Sequence, residues 1–312
     1  MQNYEKKRAE LAQEFQQARE RNPERFERRL NLSWSNWGFG IEPLEVSVER
    51  LARSGLEYIE LHGNHYGPDL GYQVDETRAL LDSHGMKVSG VCGMFSEDND
   101  LASNRPHQQQ AALDYIRREA AFTRDMGGSY LLVVPGAVGR AVEYDAYEFD
   151  RSVAALRLVA DVFTETGIKA AIEPIRRDEV TLVTTVTGAI EYIEAVDHPG
   201  VQHINGDVFH MQAGEPSIAE AVLQAGDRLV NLHMADSNRL ALGSGTMDID
   251  AIIMALYLIG ANTEGRYVTP EPLGPGASPY VARNGRVDAE ILDRMVADSV
   301  SYFRSREESL LA

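Results

Sequence analysis

The sequence predicts a (β/α)8 barrel of the TIM type preceded by a helical extension, and three observations carry that prediction. Short apolar runs recur near residues 30–34, 57–62, 87–92, 129–134, 169–173, 201–207, 229–233 and 266–271. Each is followed by a stretch with apolar residues at helical spacing, so continuous buried strands alternate with amphipathic helices. Eight such pairs match the count of a closed barrel. The competing open, doubly wound sheet expects a Gly-x-Gly-x-x-Gly turn after its first strand. The first run here leads instead into Trp34-Ser35-Asn36-Trp37-Gly38-Phe39-Gly40.

Taken in order, residues 1–29 form the extension and 30–312 the barrel. Residues 2–29 are dense in Glu, Arg and Gln, with Leu11, Phe15 and Phe26 as sparse apolar points. They read as a helix broken near Asn22-Pro23, lying outside the core, either solvated or packed on a neighbouring subunit. Within the barrel, Val48 and Leu51 mark a helix over 47–54, and Leu80 and Leu81 one over 75–84. Ala111, Leu113, Ile116 and Ala120 mark a helix over 107–126; Val153, Leu156, Val159 and Phe163 mark one over 149–166. Similar stripes fall near 187–196, 217–225, 249–260 and 288–304. Gly85, Gly127 and Gly167 stand where helices should stop before the next strand.

Composition narrows the partners. The net charge of -18 argues against nucleic acid and anionic membrane surfaces, which need a basic face. The single cysteine, Cys92, sits in an apolar run and reads as a buried structural thiol. No stretch approaches the ~18 apolar residues of a membrane span, and the N-terminus lacks an apolar signal core. The expectation is a cytoplasmic protein.

The functional signal is the way the last four runs end. They close on Glu173 in Ala-Ile-Glu-Pro, Asp207 in Ile-Asn-Gly-Asp, His233 in Val-Asn-Leu-His and Glu271 in Val-Thr-Pro-Glu-Pro. In a barrel the active site lies at the C-terminal strand ends, and neighbouring strands are ~4.8 Å apart. Four consecutive tips therefore converge on one point. Three carboxylates and an imidazole suit an oxygen-loving divalent cation, and the lone cysteine excludes a thiolate cage. Singly, each residue has an ordinary alternative: a helix cap for an acid, a satisfied core position for His233. His210, one helical turn after Asp207, is a further candidate to face the cavity. So are Arg239, six residues beyond His233, and Glu179, six beyond Glu173 and able to bond a sugar hydroxyl or Arg176. Glu60 and His62 end the second run, with Asn64, His65 and Tyr66 beyond. Trp34, Trp37 and Phe39 supply either an apolar wall for a ring or core packing. Paired carboxylates beside a cation that polarises a carbonyl suit proton transfer at the adjacent carbon. Glycosidases also pair carboxylates but need neither Asp207 nor His233 at adjacent tips. A non-catalytic sugar-binding subunit predicts a broken donor set, and a phosphodiester endonuclease needs a basic groove.

Ile-Glu-Pro, Asn-Gly-Asp-Val-Phe-His-Met, His-Met-Ala-Asp-Ser-Asn-Arg and Pro-Glu-Pro-Leu, in this order, resemble the xylose-isomerase-like barrels over roughly residues 30 to 305. The ketose 3-epimerases (tagatose and psicose epimerases) are the well-known branch. The resemblance implies Mn²⁺ on Glu173, Asp207, His233 and Glu271, while the residues alone leave Mg²⁺ and Co²⁺ open. It makes both glutamates proton carriers and places His210, Arg239 and Glu179 on substrate; Trp34, Trp37 and His62 are further substrate candidates by position alone. There are departures: Pro-Ile-Arg-Arg follows Glu173 where a Val-Leu-Asn-Arg-like run is usual, and Asp236 replaces a Glu. Trp34–Gly40, Glu60–Tyr72, Val91–Arg105, Val133–Arg140 and Thr269–Gly276 resemble a second branch, the α subunit of bacterial C-deglycosylation enzymes. That branch implies a small β subunit, or a homo-oligomer, and a 3-oxo-C-glycoside substrate. The C–C bond would be cleaved by β-elimination after proton removal beside the carbonyl. This lyase outcome is the favoured expectation; the alternative is a ketose 3-epimerase that returns the proton on the other face.

Overall fold

A computed structural model describes residues 3–40, 42–63, 72–273 and 288–312. Among these, seven parallel strands form one sheet in sequential order. They are β1 Tyr58–His62, β2 Lys87–Cys92, β3 Tyr130–Val133, β4 Lys169–Ile172, β5 His203–Asp207, β6 Leu229–Met234 and β7 Tyr267–Pro270. The helices are α1 Asn3–Arg21, α2 Leu44–Arg53, α3 Val74–Ser83, α4 Pro106–Asp125, α5 Glu148–Arg157 and α6 Asp161–Thr166. They continue as α7 Val186–Val196, α8 Val208–Gly214, α9 Ile218–Ala225, α10 Ile249–Leu258 and α11 Ala289–Leu311.

The first expected strand, 30–34, is not a regular one. It closes the barrel through two isolated parallel bridges, Leu32 with Val268 and Ser35 with Glu60. Ser33 N donates to Val268 O at 2.8 Å, Val268 N to Asn31 O at 2.9 Å and Glu60 N to Trp34 O at 2.8 Å. Ser35 N donates to Pro270 O at 3.2 Å, but Pro270 has no N–H with which to continue the ladder. The segment then turns into a short 3-10 helix at Asn36–Phe39. The seam is sealed from below. Leu30 N donates to Glu307 Oε1 at 2.9 Å, and Arg304 Nη1 donates to Leu30 O at 3.0 Å.

The helical extension differs from the expectation of an outlying helix. Leu11 and Phe15 enter the core, and Phe15 meets the Phe26 ring at 5.4 Å and the Tyr257 ring at 6.2 Å. Arg19 caps α11 by donating to Leu310 O at 2.9 Å and Leu311 O at 2.6 Å. A single helix over 149–166 was also expected. Here α5 and α6 are separated at 158–160, where successive N–H groups of Leu158, Val159 and Ala160 bond three residues back instead of four. Gly85, Gly127 and Gly167 adopt φ of 64°, 74° and 73°, the left-handed conformation that ends a helix without a Cβ clash.

Candidate metal centre

Side chains alternate along a strand, so residues two apart share a face. That periodicity aims Asn205 with Asp207, Asn231 with His233, and Thr269 with Glu271 into the barrel. Glu173, Asp207, His233 and Glu271 are all buried at its C-terminal end. Glu173, Asp207 and His233 offer ligand atoms within 4.8 Å of one another. Glu271 Oε2 and Glu173 Oε1 each lie 3.5 Å from His233 Nδ1. The four strand-tip residues therefore meet at one place.

The imidazole is held so that its two nitrogens do different work. Nε2 lies 2.9 Å from both oxygens of Glu60, whereas Glu173 and Glu271 approach Nδ1. Asn205 Nδ2 lies 3.4 Å from Nδ1 and donates to Glu173 Oε1 at 2.9 Å. A carboxylate that accepts the Nε2–H leaves Nδ1 as the nitrogen facing the acids, the usual support of a histidine that binds metal once Nδ1 is deprotonated. Glu60 is itself fixed by Tyr130 OH at 2.6 Å and Asn231 Nδ2 at 3.2 Å. Asn231 also donates to Asn205 Oδ1 at 2.8 Å and accepts from Thr269 Oγ1 at 2.7 Å. Glu60 was visible in the sequence only as the end of a run. Its role was missed because β1 and β6 are not sheet neighbours.

Asp207 combines two roles that sequence alone left as alternatives. Oδ1 caps α8 by accepting Phe209 N at 2.7 Å, while Oδ2 lies 3.5 Å from His210 Nε2. Burial raises the Asp207 pKa, but His210, His233 and Arg239 outweigh it and hold the carboxyl below its ordinary value. Glu271 goes the other way. Burial, together with Asp207, Glu60 and Glu173, pushes it up to about 8 against the attraction of His233. His233 is carried well above its ordinary value: burial opposes the charge, and Glu271 and Glu60 overcome it. None of Glu173, Asp207 and Glu271 pairs with a Lys or Arg among the described residues. Buried carboxylates crowded in this way need a compensating charge. A divalent cation fits that need and the donor chemistry.

The cavity beside these residues is lined by Trp37, Cys92, Met94, Phe95, Val134, Val138, Ile175, Glu179, His210 and Arg239, among others. His210 Nδ1 and Arg239 Nη1 are buried there without a hydrogen-bond partner among the described residues. Arg239 adopts φ of 60°, and its guanidinium lies 4.3 Å from the centre of the Phe209 ring. Glu179 accepts from Arg176 Nε at 2.5 Å, the second of its expected partners. Two expected contacts are placed elsewhere. Trp34 is buried in the core against Phe39, with ring centroids 6.1 Å apart, because the turn after it folds back onto the barrel. His62 Nδ1 faces Tyr72 OH at 2.8 Å, and its backbone N–H donates to Asn36 Oδ1, outside the cavity lining. Asn64, His65 and Tyr66 lie outside the described residues. Asp236 accepts the backbone N–H groups of Ser237, Gly243 and Met247 at 2.7 to 3.0 Å, so the acid that departs from the epimerase pattern staples a loop.

The cavity wall is built by three loops tied together through one buried arginine. Arg140 Nη1 donates to Glu148 Oε1 at 2.6 Å, and Nη2 reaches Asp100 Oδ2 at 3.3 Å. Thr181 Oγ1 donates to the other Glu148 oxygen at 2.7 Å. The backbone N–H groups of Gly139 and Arg140 donate to Glu179 O, and that of Val138 to Phe95 O. The loops after β2, β3 and β4 are thus cross-linked to one another.

Comparison with known proteins bears on this geometry. A ketose 3-epimerase of Arthrobacter globiformis is 26% identical over 231 residues, covering 73% of this chain and 78% of that protein. The 3-dehydro-D-guloside 4-epimerase of Escherichia coli (strain K12) is 26% identical over 285 residues, covering 88% of this chain and all of that protein. A solved L-ribulose 3-epimerase superposes with a TM-score of 0.78 at 20% identity, covering 90% of this chain and 96% of that one, which shows the shared fold. Residues 48–283 match the xylose isomerase-like TIM barrel family, and the chain belongs to that family.

Proposed function

We propose that this protein is a divalent-metal-dependent sugar epimerase that exchanges a proton at the carbon beside the carbonyl of a keto sugar. The observation that carries the reading is the placement of two buried carboxylates, Glu173 and Glu271, each 3.5 Å from the Nδ1 face of His233. Glu173, Asp207, His233 and Glu271 hold the cation, for which Mn²⁺ is the first choice, with Mg²⁺ or Co²⁺ as substitutes. When bound, the cation supplies Lewis acidity to the carbonyl oxygen. One glutamate removes the proton and the other returns one to the opposite face. His210 and Arg239, which line the cavity, hold substrate oxygens. The apolar residues of the cavity wall exclude water from the carbanion-like carbon.

The relatives favour inversion over the elimination that the sequence departures suggested, since they are named as epimerases of ketoses or of a 3-dehydro-guloside. Both outcomes begin with the same proton removal, and the substrate decides between them. The test is Mn²⁺-loaded protein in deuterium oxide with fructose, psicose or tagatose, and separately with 3-oxo-glycosides. Deuterium at the carbon beside the carbonyl, with an epimeric product, is the expected result. Release of the aglycone would replace epimerisation by elimination, and assays with any small subunit that co-purifies belong to that arm. No exchange on either substrate class would refute the proton-transfer reading.

A further inference from the structure

The barrel holds a second group of donors that overlaps the first and differs in hardness. Cys92 ends β2, is 6% exposed and lines the cavity. Ligand atoms of Glu60, Cys92, His233 and Glu271 all lie within 4.8 Å of one another. A tetrahedral zinc site has Zn–S of ~2.3 Å and Zn–N of ~2.0–2.1 Å, which puts its ligand atoms roughly 3.3–3.8 Å apart. The group therefore needs a contraction of about an ångström at its widest, within the reach of side-chain adjustment. The group of Glu173, Asp207 and His233 carries only oxygen and nitrogen, whereas this one carries sulfur.

We propose that Cys92, His233, Glu271 and Glu60 form a binding site for a borderline-soft divalent cation, Zn²⁺ or Cd²⁺, distinct from the oxygen-rich position. A thiolate selects such cations, and zinc outranks manganese at nitrogen and sulfur ligands. The thiol proton leaves to solvent as the sulfur–metal bond forms. Both positions draw on His233 and Glu271, and two divalent cations so close repel, so filling one empties the other. A thiophilic cation is then an antagonist of the hard cation at the level of metal binding, before any sugar enters.

The experiment titrates Cd²⁺ into the full chain after chelator treatment. It follows the ultraviolet sulfur-to-cadmium charge-transfer absorption and the ¹¹³Cd chemical shift. One Cd²⁺ per chain, with the absorption band and a shift diagnostic of one sulfur ligand, is expected, and added Mn²⁺ should bleach the band competitively. Cys92→Ser should lose the band and weaken Cd²⁺ by at least the ~10-fold that loss of even an outer partner costs. The control is Mn²⁺ binding, whose donor set omits Cys92. Cadmium bound to the native chain with an all-oxygen-and-nitrogen shift and no band would overturn the proposal, whether or not the variant folds. So would unchanged Cd²⁺ affinity in a folded Cys92→Ser. None of these readouts uses a sugar, so they stand or fall independently of the epimerase reading.

Discussion

His233 shows how one side chain organises the site, because each of its nitrogens has a separate partner. Glu60→Gln substitutes a carboxamide at the Nε2 contact. Mn²⁺ affinity, measured by chelator competition, should then fall about 10- to 100-fold while the fold persists. Glu173→Gln and Glu271→Gln should each lower turnover by about 10²- to 10⁴-fold, read as proton–deuterium exchange on the substrate that proves active. Full exchange in either variant, with the cation bound, would remove that residue from the chemistry. Glu271 also sets a pH dependence. Its pKa of about 8 leaves it protonated at neutral pH in the cation-free chain, and a ligand must be ionised. Apparent Mn²⁺ affinity should rise with pH through about 8, as Glu271 and the likewise raised His233 give up their protons, which titration calorimetry at several pH values would show. The cluster of Glu173, Asp207, His233 and Glu271 at the strand tips was legible because each polar residue interrupts an apolar run. Asn205, Asn231 and Thr269 were legible in principle, each lying two residues before one of these side chains. Glu60 across the bore was not, since sequence periodicity reports which face a residue is on and nothing about the residue opposite.

At the scale of elements, the strand order and most helices follow from periodicity alone, and the exceptions have local causes. The 31–35 segment lacks a full ladder because Pro270 cannot donate, and α5 separates from α6 where the bonding tightens. Neither is written in an apolar pattern. The loop clamp at Arg140 is equally silent in sequence, as its partners Asp100, Glu148 and Thr181 are spread over 82 positions (181 minus 100, counted inclusively). Removing one partner of a buried ion pair costs about 3–5 kcal/mol. Arg140→Met should therefore lower the thermal midpoint. It should also raise KM through the displaced Phe95, Val138 and Glu179, with kcat/KM down by up to about 10²-fold. Mn²⁺ affinity should hold, because no cation ligand lies on those three segments except Glu173, which β4 itself positions. Loss of cation affinity in a folded variant would contradict the assignment of Arg140 to the cavity wall.

For the whole molecule, the crowded buried carboxylates couple stability to pH and to any cation bound among them. Glu271 has an ordinary value of 4.5 and a folded value of about 8, so the folded state binds more protons between those limits. The raised pKa of His233 acts in the same direction above its ordinary 6.5. These two groups make the cation-free protein less stable as pH rises from about 5 to 8. A cation at 100 times its Kd adds about 2.7 kcal/mol. Calorimetry with and without chelator across that range should show the midpoint falling with pH only in the chelated sample.

The way the cylinder is sealed has a consequence for biosynthesis. Residue 30 is held by Glu307 and Arg304, and α1 is capped against the last turn of α11. A ribosome delivers those partners some 270 residues after the segment they secure, a delay of roughly a quarter of a minute to a minute at ordinary elongation rates. Throughout that interval the first strand edge waits uncovered, which makes it the stretch a nascent-chain chaperone would have reason to shield.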